Sequence, residues 1–168
     1  MFKKMNFGDV HVAGGIRGTE LEVGDYVLEV TAIRSGKSKD DVPYFEVVHK
    51  VLESEGEGAT APGTETNRFC FLGGKGKPTA MQNMKEIVYV INGLDARAPA
   101  DQALGEDENW GEITDDMCEN PATYVGRKVT CQVRKAPIKT PKSGGRTHFN
   151  ARRYGVHPET RKLALGEE

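Results

Sequence analysis

The side chains best suited to chemistry in this sequence are cationic, and they concentrate near its C-terminal end. Residues 126–158 contain no acidic residue and nine cationic ones, namely Arg127, Lys128, Arg134, Lys135, Lys139, Lys142, Arg146, Arg152 and Arg153. Just upstream, residues 98–121 carry acidic residues but no lysine or arginine, so the formal net charge of -2 hides a strong asymmetry. A cationic surface attracts polyanions by electrostatic steering and counterion release. We therefore expect an anionic partner, with nucleic acid as the leading candidate.

Other reactive residue types do not form a recognisable catalytic or metal site. The 4 histidines lack metal-ligand spacing, and the 3 cysteines, which are Cys70, Cys118 and Cys131, contain no Cys-x-x-Cys pair. Residues 73–79 are glycine-rich, but Phe71 stands where a phosphate loop needs its first glycine and Pro78 where it needs serine or threonine. We expect no enzyme activity, no metal and no cofactor, and we expect Cys70 and Cys131 to be reduced and buried.

Length and composition favour a single domain. A chain of 168 residues with 37% hydrophobic content suits one core. No apolar run is long enough for a membrane span or a signal peptide, so we expect a cytoplasmic protein with no membrane partner. The predicted organisation is an N-terminal arm over residues 1–20, a domain over residues 21–156 with an acidic insertion at 95–120, and a polar, mobile tail over residues 157–168.

Hydrophobic alternation predicts five strands, over residues 25–34, 42–53, 65–72, 126–135 and 147–154. Between the third and fourth, Met81, Met84, Val88 and Ile91 recur at helical spacing, with Pro78 suited to the first turn and Gly93 to the C-terminal end. A short helix is also expected at residues 114–118 of the acidic insertion. The fold class is therefore mainly β.

This order of elements is the one expected of a five-stranded, OB-like Greek-key barrel with one helix between strands three and four and an acidic loop insertion. A β-sandwich with similar strands is the alternative. OB-type barrels bind oligonucleotides on the face of strands two and three, flanked by the loops that join strands one to two and four to five. Here those loops are residues 35–41 and 136–146, and both contain lysines.

A single-strand binder needs cations for the phosphates and flat rings on which bases stack. The candidate nucleic-acid-binding residues lie on the polar strand faces and in the two loops: Arg34, Lys37, Lys39, Tyr44, Arg68, Phe69, Lys128, Arg134, Lys139, Lys142, Arg146, His148, Arg152 and Tyr154. Because Phe69 and Phe71 share one side of their strand, we expect at least one of them in the core. The acidic insertion is expected to fold against the basic groove and compete with nucleic acid.

Three segments carry a resemblance to a known family. Residues 21–30 contain a Gly-x-Tyr strand (Gly24 to Tyr26), residues 44–54 end in Val-Leu-Glu-Ser, and Gly-Arg-Lys-Val at residues 126–129 leads to Phe149–Tyr154. In these features the chain resembles phage-encoded single-stranded DNA-binding proteins of the OB type. The resemblance implies a replication or recombination accessory protein that coats single-stranded DNA in the cytoplasm of an infected host. It leaves open a homo-oligomer and contacts with replication or recombination proteins.

One reading from a different class remains. A β-rich virion structural or assembly protein would use the same basic hairpin to contact an acidic patch on a neighbouring subunit. The two interpretations differ in their dependence on salt, because only a nucleic-acid binder releases condensed counterions when it binds an oligonucleotide.

Overall fold

The architecture is described by a computed structural model that covers residues 20–95, 110–138 and 147–166. It is mainly β, with a five-stranded sheet in the order β3-β2-β1-β4-β5, in which all neighbouring strands are antiparallel. The strands are β1 (Gly24–Lys37), β2 (Pro43–Glu55), β3 (Glu65–Phe71), β4 (Lys128–Pro137) and β5 (His148–Val156). All five strands predicted from alternation are present, with ends shifted by at most three residues, as expected for pattern-based boundaries.

Helices occupy the connection between β3 and β4 and the region after β5. They are α1 (Lys77–Ile91), α2 (Trp110–Glu119) and α3 (Pro158–Leu165), and short 3₁₀ turns lie at Gly74–Gly76 and Pro121–Thr123. The prediction of α1 is confirmed: Pro78 lies in its first turn, and Gly93, with φ of 76°, follows its C-terminal cap. No helix in the described part of the chain is long and apolar enough to span a membrane.

The core lies on the inner face of the curved sheet and beneath α1. Alternate residues of β1, including Tyr26, Leu28 and Val30, are buried. The β1–β2 register is irregular between Val30 and Ala32, and beyond this point Ile33 is the buried residue. Such a bulge adds a residue to one strand and bends it, which lets β1 pair with β4 in its first half and with β2 throughout. The apolar stripe of α1 covers the same core.

Cysteine chemistry follows from this packing. Cys70 and Cys131 are each 1% exposed, so the prediction that they lie in the core is confirmed. Burial raises the pKa of both thiols to about 11, because the thiolate would lose its hydration.

The sheet is not closed by strand pairing. β3 and β5 are its two edges, and within residues 20–95, 110–138 and 147–166 no strand pairing joins them. Side chains satisfy several groups along this gap. Arg152 on β5 donates to the Asn67 carbonyl oxygen (2.9 Å) and to the Thr66 hydroxyl (2.9 Å) on β3, and the Tyr154 amide donates to the Glu86 carboxylate of α1 (3.2 Å). These three groups are thus paired without a β-ladder.

The prediction of a mobile tail after residue 156 is wrong for residues 158–165, which form α3. The helix begins at Pro158. His157 caps its N-terminus, because ring nitrogen Nδ1 accepts a hydrogen bond from the Glu159 amide (3.1 Å), and Gly166, with φ of 68°, caps its C-terminus. Its Thr160 is fully buried against β4. The sequence did not indicate this helix, because Thr160 and the ion pair between Lys128 and Glu159 attach it rather than an apolar stripe.

The second half of the acidic insertion is also part of the fold. α2 extends well beyond the predicted residues 114–118, and its Met117 is fully buried. Asp116 accepts hydrogen bonds from the Tyr124 hydroxyl and from the Asn120 amide (2.9 Å), which lowers the pKa of its carboxyl group. Residues 96–109 lie outside the described residues, so the expected contact between the insertion and a basic groove is not described.

Candidate nucleic-acid interface

Among the described residues, most of the partly exposed aromatic side chains lie on the outward face of β1, β2 and β3. Directly paired residues of adjacent antiparallel strands point to the same side of a sheet. Tyr44 pairs with Gly36 on β1 and with Phe71 on β3, and Glu46 pairs with Arg34 and with Phe69. We call these six residues the aromatic face. Their row lies on the side opposite the fully buried Phe45 and Val47.

Tyr44 and Phe69 form the centre of the aromatic face. Their ring centroids are 5.4 Å apart and their planes differ by 20°, which is a stacked arrangement. Both rings are half-buried, as is Phe71. Gly36 allows this placement, because a Cβ atom there would lie 2.8 Å from the Tyr44 hydroxyl and 2.9 Å from its ring. The tyrosine therefore lies flat across β1.

A charged pair adjoins the rings. Arg34 Nη1 lies 3.6 Å from Glu46 Oε1, and the second carboxylate oxygen of Glu46 accepts a hydrogen bond from the Asn67 side chain (2.7 Å). The Glu46 side chain is 3% exposed and that of Arg34 is 47% exposed. The buried carboxylate thus anchors a guanidinium group whose outer half remains accessible to a ligand.

The β1–β2 loop places two lysines next to this face. The Ser38 hydroxyl accepts hydrogen bonds from the Val42 amide (3.1 Å) and the Asp40 amide (3.3 Å), and the carboxylate of Asp41, whose φ is 62°, lies 3.5 Å from Lys37 Nζ. Lys37 and Lys39 are exposed. Since exposed ion pairs contribute little, Lys37 remains available to an anionic ligand.

Much of the basic stretch is used inside the protein. Lys128 pairs with Glu159 of α3 (2.9 Å), which raises the pKa of Lys128 and lowers that of Glu159. Arg134 pairs with Asp25 (2.8 Å) and also donates to the Gly24 carbonyl oxygen (3.2 Å). Arg127 donates to the Ile91 carbonyl oxygen (3.0 Å). The charges that are adjacent in sequence therefore do not form one continuous surface on the described residues.

Other predicted residues lie away from the aromatic face or outside the described part. His148 is exposed at the far end of β5, beside the Thr147 hydroxyl (2.9 Å). Lys139, Lys142 and Arg146 lie outside the described residues. The structure thus brings together Arg34, Tyr44 and Phe69, with Lys37 and Lys39 at the adjoining loop.

Arg68, Arg152 and Tyr154 form a separate group on the inner side of the β3–β5 gap. The prediction that Tyr154 lies on a polar face is wrong, because the residue is 2% exposed and pairs with the buried Cys131. Its ring stacks on His49 at 5.7 Å between centroids. Arg152 and Tyr154 thus lie on the core-facing side of β5, opposite to the side that was predicted, and Tyr154 is not accessible for base stacking.

His49 is fully buried, and neither ring nitrogen has a hydrogen-bond partner in the described structure. Burial lowers the pKa of His49 to about 3, and the nearby guanidinium groups of Arg152 and Arg68 act in the same direction. The imidazole is therefore neutral at physiological pH.

Several residues of the aromatic face were missed or misassigned by sequence reasoning. The expectation that Phe69 or Phe71 enters the core is wrong, because both rings are half-buried on the outer face and Cys70 between them occupies the core. Alternation around Cys70 was the signal that could have identified both rings. Glu46 and Gly36 gave no comparable signal, since their roles depend on cross-strand neighbours.

Comparison with known proteins adds no assignment to these observations. Searches find no family model that matches this chain and no curated protein that matches it.

Proposed function

We propose that this protein binds single-stranded DNA on the aromatic face, without strong sequence preference. The observation that carries the proposal is the stacked pair of Tyr44 and Phe69 on an outward sheet surface, with the partly exposed guanidinium group of Arg34 on the neighbouring strand. Partly exposed rings offer stacking surface to any base, because every base has a π face. Cations beside the rings attract the phosphates that connect the bases.

The magnitudes favour stacking as the main source of affinity. Each base stacked on an aromatic side chain contributes roughly 1–3 kcal/mol. Arg34, Lys37 and Lys39 add salt-dependent attraction, although the pairing of Arg34 with Glu46 and of Lys37 with Asp41 reduces their net charge locally. We therefore expect binding that depends strongly on aromatic residues and moderately on ionic strength.

The strand order supports an OB-type Greek-key fold as part of this proposal. In such a fold the first strand lies between the second and the fourth, and the third and fifth strands form the remaining edges, as in the observed order β3-β2-β1-β4-β5. OB-type domains bind single strands on the face of strands two and three. The proposal is supported by the position of the aromatic face on β1, β2 and β3, next to the β1–β2 loop with Lys39.

The cellular role follows from the same proposal. The resemblance of the strand segments to phage-encoded single-stranded DNA-binding proteins supports a protein that coats exposed strands during replication or recombination in the host cytoplasm. Replication or recombination proteins, or further copies of this chain, would be its protein partners.

The proposal is tested by fluorescence anisotropy of labelled oligo-dT, titrated with protein at two salt concentrations beside a duplex of the same length. We expect preference for the single strand and weaker binding at the higher salt concentration. Tyr44→Ala and Phe69→Ala should each reduce the affinity about 5- to 150-fold, the equivalent of one lost stacking contact. Gly36→Val should reduce it as well, by displacing the Tyr44 ring.

Phe149→Ala is the matched control, because Phe149 is an aromatic residue with 48% exposure on β5, outside the aromatic face. Its affinity for oligo-dT should equal that of the unmodified protein. Absence of binding at low salt would overturn the proposal and favour the alternative of a virion assembly protein. Equal losses in Tyr44→Ala and Phe149→Ala would exclude the aromatic face as the binding surface.

A further inference from the structure

Two arginine side chains converge on the inner side of the β3–β5 gap. The guanidinium carbon of Arg68 on β3 lies 5.5 Å from the centre of the Tyr154 ring, and Arg152 on β5 donates a hydrogen bond to the hydroxyl group of that tyrosine (3.2 Å). His49 stacks on the same ring. We call Arg68, Arg152, His49 and Tyr154 the gap cluster. It contains two permanent positive charges around one phenol.

The arginines of the gap cluster form no direct ion pair within the described residues. The Glu20 carboxylate acts on Arg152 at longer range, and Glu86 on α1 accepts a hydrogen bond from the Tyr154 amide. The Nε atom of Arg68 is buried without a hydrogen-bond partner, as are both ring nitrogens of the fully buried His49. Buried charges and donors are costly unless they are paired. The cluster therefore has unused capacity for an anion.

The two guanidinium groups differ in how firmly they are held. Arg152 is fixed by hydrogen bonds to Asn67, Thr66 and Tyr154, so its remaining donors have a defined direction. Within the described residues, the guanidinium group of Arg68 contacts the Tyr154 ring and donates no hydrogen bond, so its donors remain for a ligand. Both side chains retain partial exposure at this edge, which no strand of the described residues covers. An anion can thus approach from solvent through the gap.

We propose that the gap cluster binds the oxyanion of a phosphate group between Arg68 and Arg152. The planar fork of a guanidinium group matches two phosphate oxygens, and two such groups provide a bidentate and charge-balanced site. The phosphate belongs either to a nucleic-acid backbone or to a free phosphate ion. The site is distinct from the aromatic face, which lies on the outer side of the sheet, and it does not depend on the proposed function.

Inorganic phosphate is the first probe. Thermal unfolding is measured in phosphate and in chloride at equal pH and ionic strength. We expect Tm to rise saturably with phosphate, by about 3–5 °C at a concentration tenfold above Kd, because the ligand binds only the folded state. Arg68→Met should lose this rise. Arg153→Met, which removes an exposed arginine of β5 next to Arg152, should keep it.

A second variant tests whether Arg68→Met loses the rise in Tm only because of a folding defect. Arg68→Lys keeps the charge but loses the planar fork, so its phosphate-dependent rise should be smaller and need a higher phosphate concentration. Equal Tm values in phosphate and chloride for the unmodified protein would overturn the proposal. If phosphate raises the Tm of Arg68→Met as much as that of the unmodified protein, the proposal is overturned as well.

The oligonucleotide assay identifies the source of the phosphate. If the group belongs to a bound strand, Arg68→Met should lower the oligo-dT affinity and reduce the magnitude of the salt slope by about one. If the site takes free phosphate, the same variant should bind oligo-dT normally while lacking the phosphate-dependent rise in Tm. Either result supports a phosphate site at the gap cluster. If the unmodified protein does not bind oligo-dT at all, only the proposed function is contradicted.

Discussion

His49 lies in an environment that differs greatly from water. This environment affects how the stability of the protein depends on pH. The imidazole is fully buried, stacks on Tyr154 and lies near two guanidinium groups. Burial and these charges disfavour its protonated form, so the pKa falls from 6.5 in the free side chain to about 3. Because the unfolded chain binds this proton more readily than the folded protein, acid favours unfolding.

The free energy of unfolding should therefore fall as the pH drops below about 6.5, and His49 should no longer contribute to this dependence once the pH is well below 3. Its part of the slope is about 1.4 kcal/mol per pH unit within this range, or about 2 kcal/mol between pH 7 and pH 5. Urea unfolding at pH 7 and pH 5 measures the difference. His49→Leu should remove about 2 kcal/mol of it. An unchanged pH dependence in His49→Leu would contradict the assigned pKa.

At the scale of the elements, α3 shows that a helix can be attached by polar contacts. Thr160 is fully buried and forms two hydrogen bonds with one residue of β4, accepting from the Lys128 amide (3.0 Å) and donating to the Lys128 carbonyl oxygen (2.5 Å). The helix backbone also approaches Gly93 after α1, where a Cβ atom would lie 3.1 Å from the Arg161 Cα atom. α3 therefore connects the start of β4 with the end of α1.

Thr160→Val keeps the shape of the side chain but leaves the backbone groups of Lys128 without these partners. We expect the free energy of unfolding to fall by roughly 1–3 kcal/mol, the cost of unpaired buried polar groups. Hydrogen exchange should accelerate most at the Lys128 amide and in α3. Thr160→Ser, which keeps the hydroxyl, should lose less stability than Thr160→Val. Equal losses in both variants would assign the effect to the methyl group rather than to the hydrogen bonds.

At the scale of the whole molecule, the β3–β5 gap determines how the two halves of the sheet are joined. Arg152 contacts Asn67 and Thr66, which are more than eighty positions earlier in the chain, and α1 contributes Glu86 from beneath. A single guanidinium group thus performs part of the work that a ladder of backbone hydrogen bonds performs elsewhere in the sheet. Its loss should affect the two edge strands together.

Arg152→Met should lower the free energy of unfolding by about 1–3 kcal/mol in phosphate-free buffer, because it removes all three hydrogen bonds of the guanidinium group. Chemical denaturation gives the magnitude, and hydrogen exchange should show faster opening in both β3 and β5. The exposed neighbour provides a comparison, since Arg153→Met should change stability by no more than about 0.5 kcal/mol. Faster exchange confined to β5 would mean that Arg152 does not join the edges.

The local sequence of this protein determined its five strands and α1, whereas α3 was not predicted. Alternation at Val129, Cys131 and Val133 predicted β4, and the spacing of Met81, Met84 and Val88 with Pro78 and Gly93 predicted α1, because these patterns reflect periods of 2 and 3.6 residues. Only the tertiary structure decided which side chains share a surface. Register irregularities in β1 change which residues face inward, and the partners of Tyr44, Arg134 and Arg152 come from distant strands. Local periodicity carries no information about those long-range pairings, so it could not separate the aromatic face from the buried gap cluster.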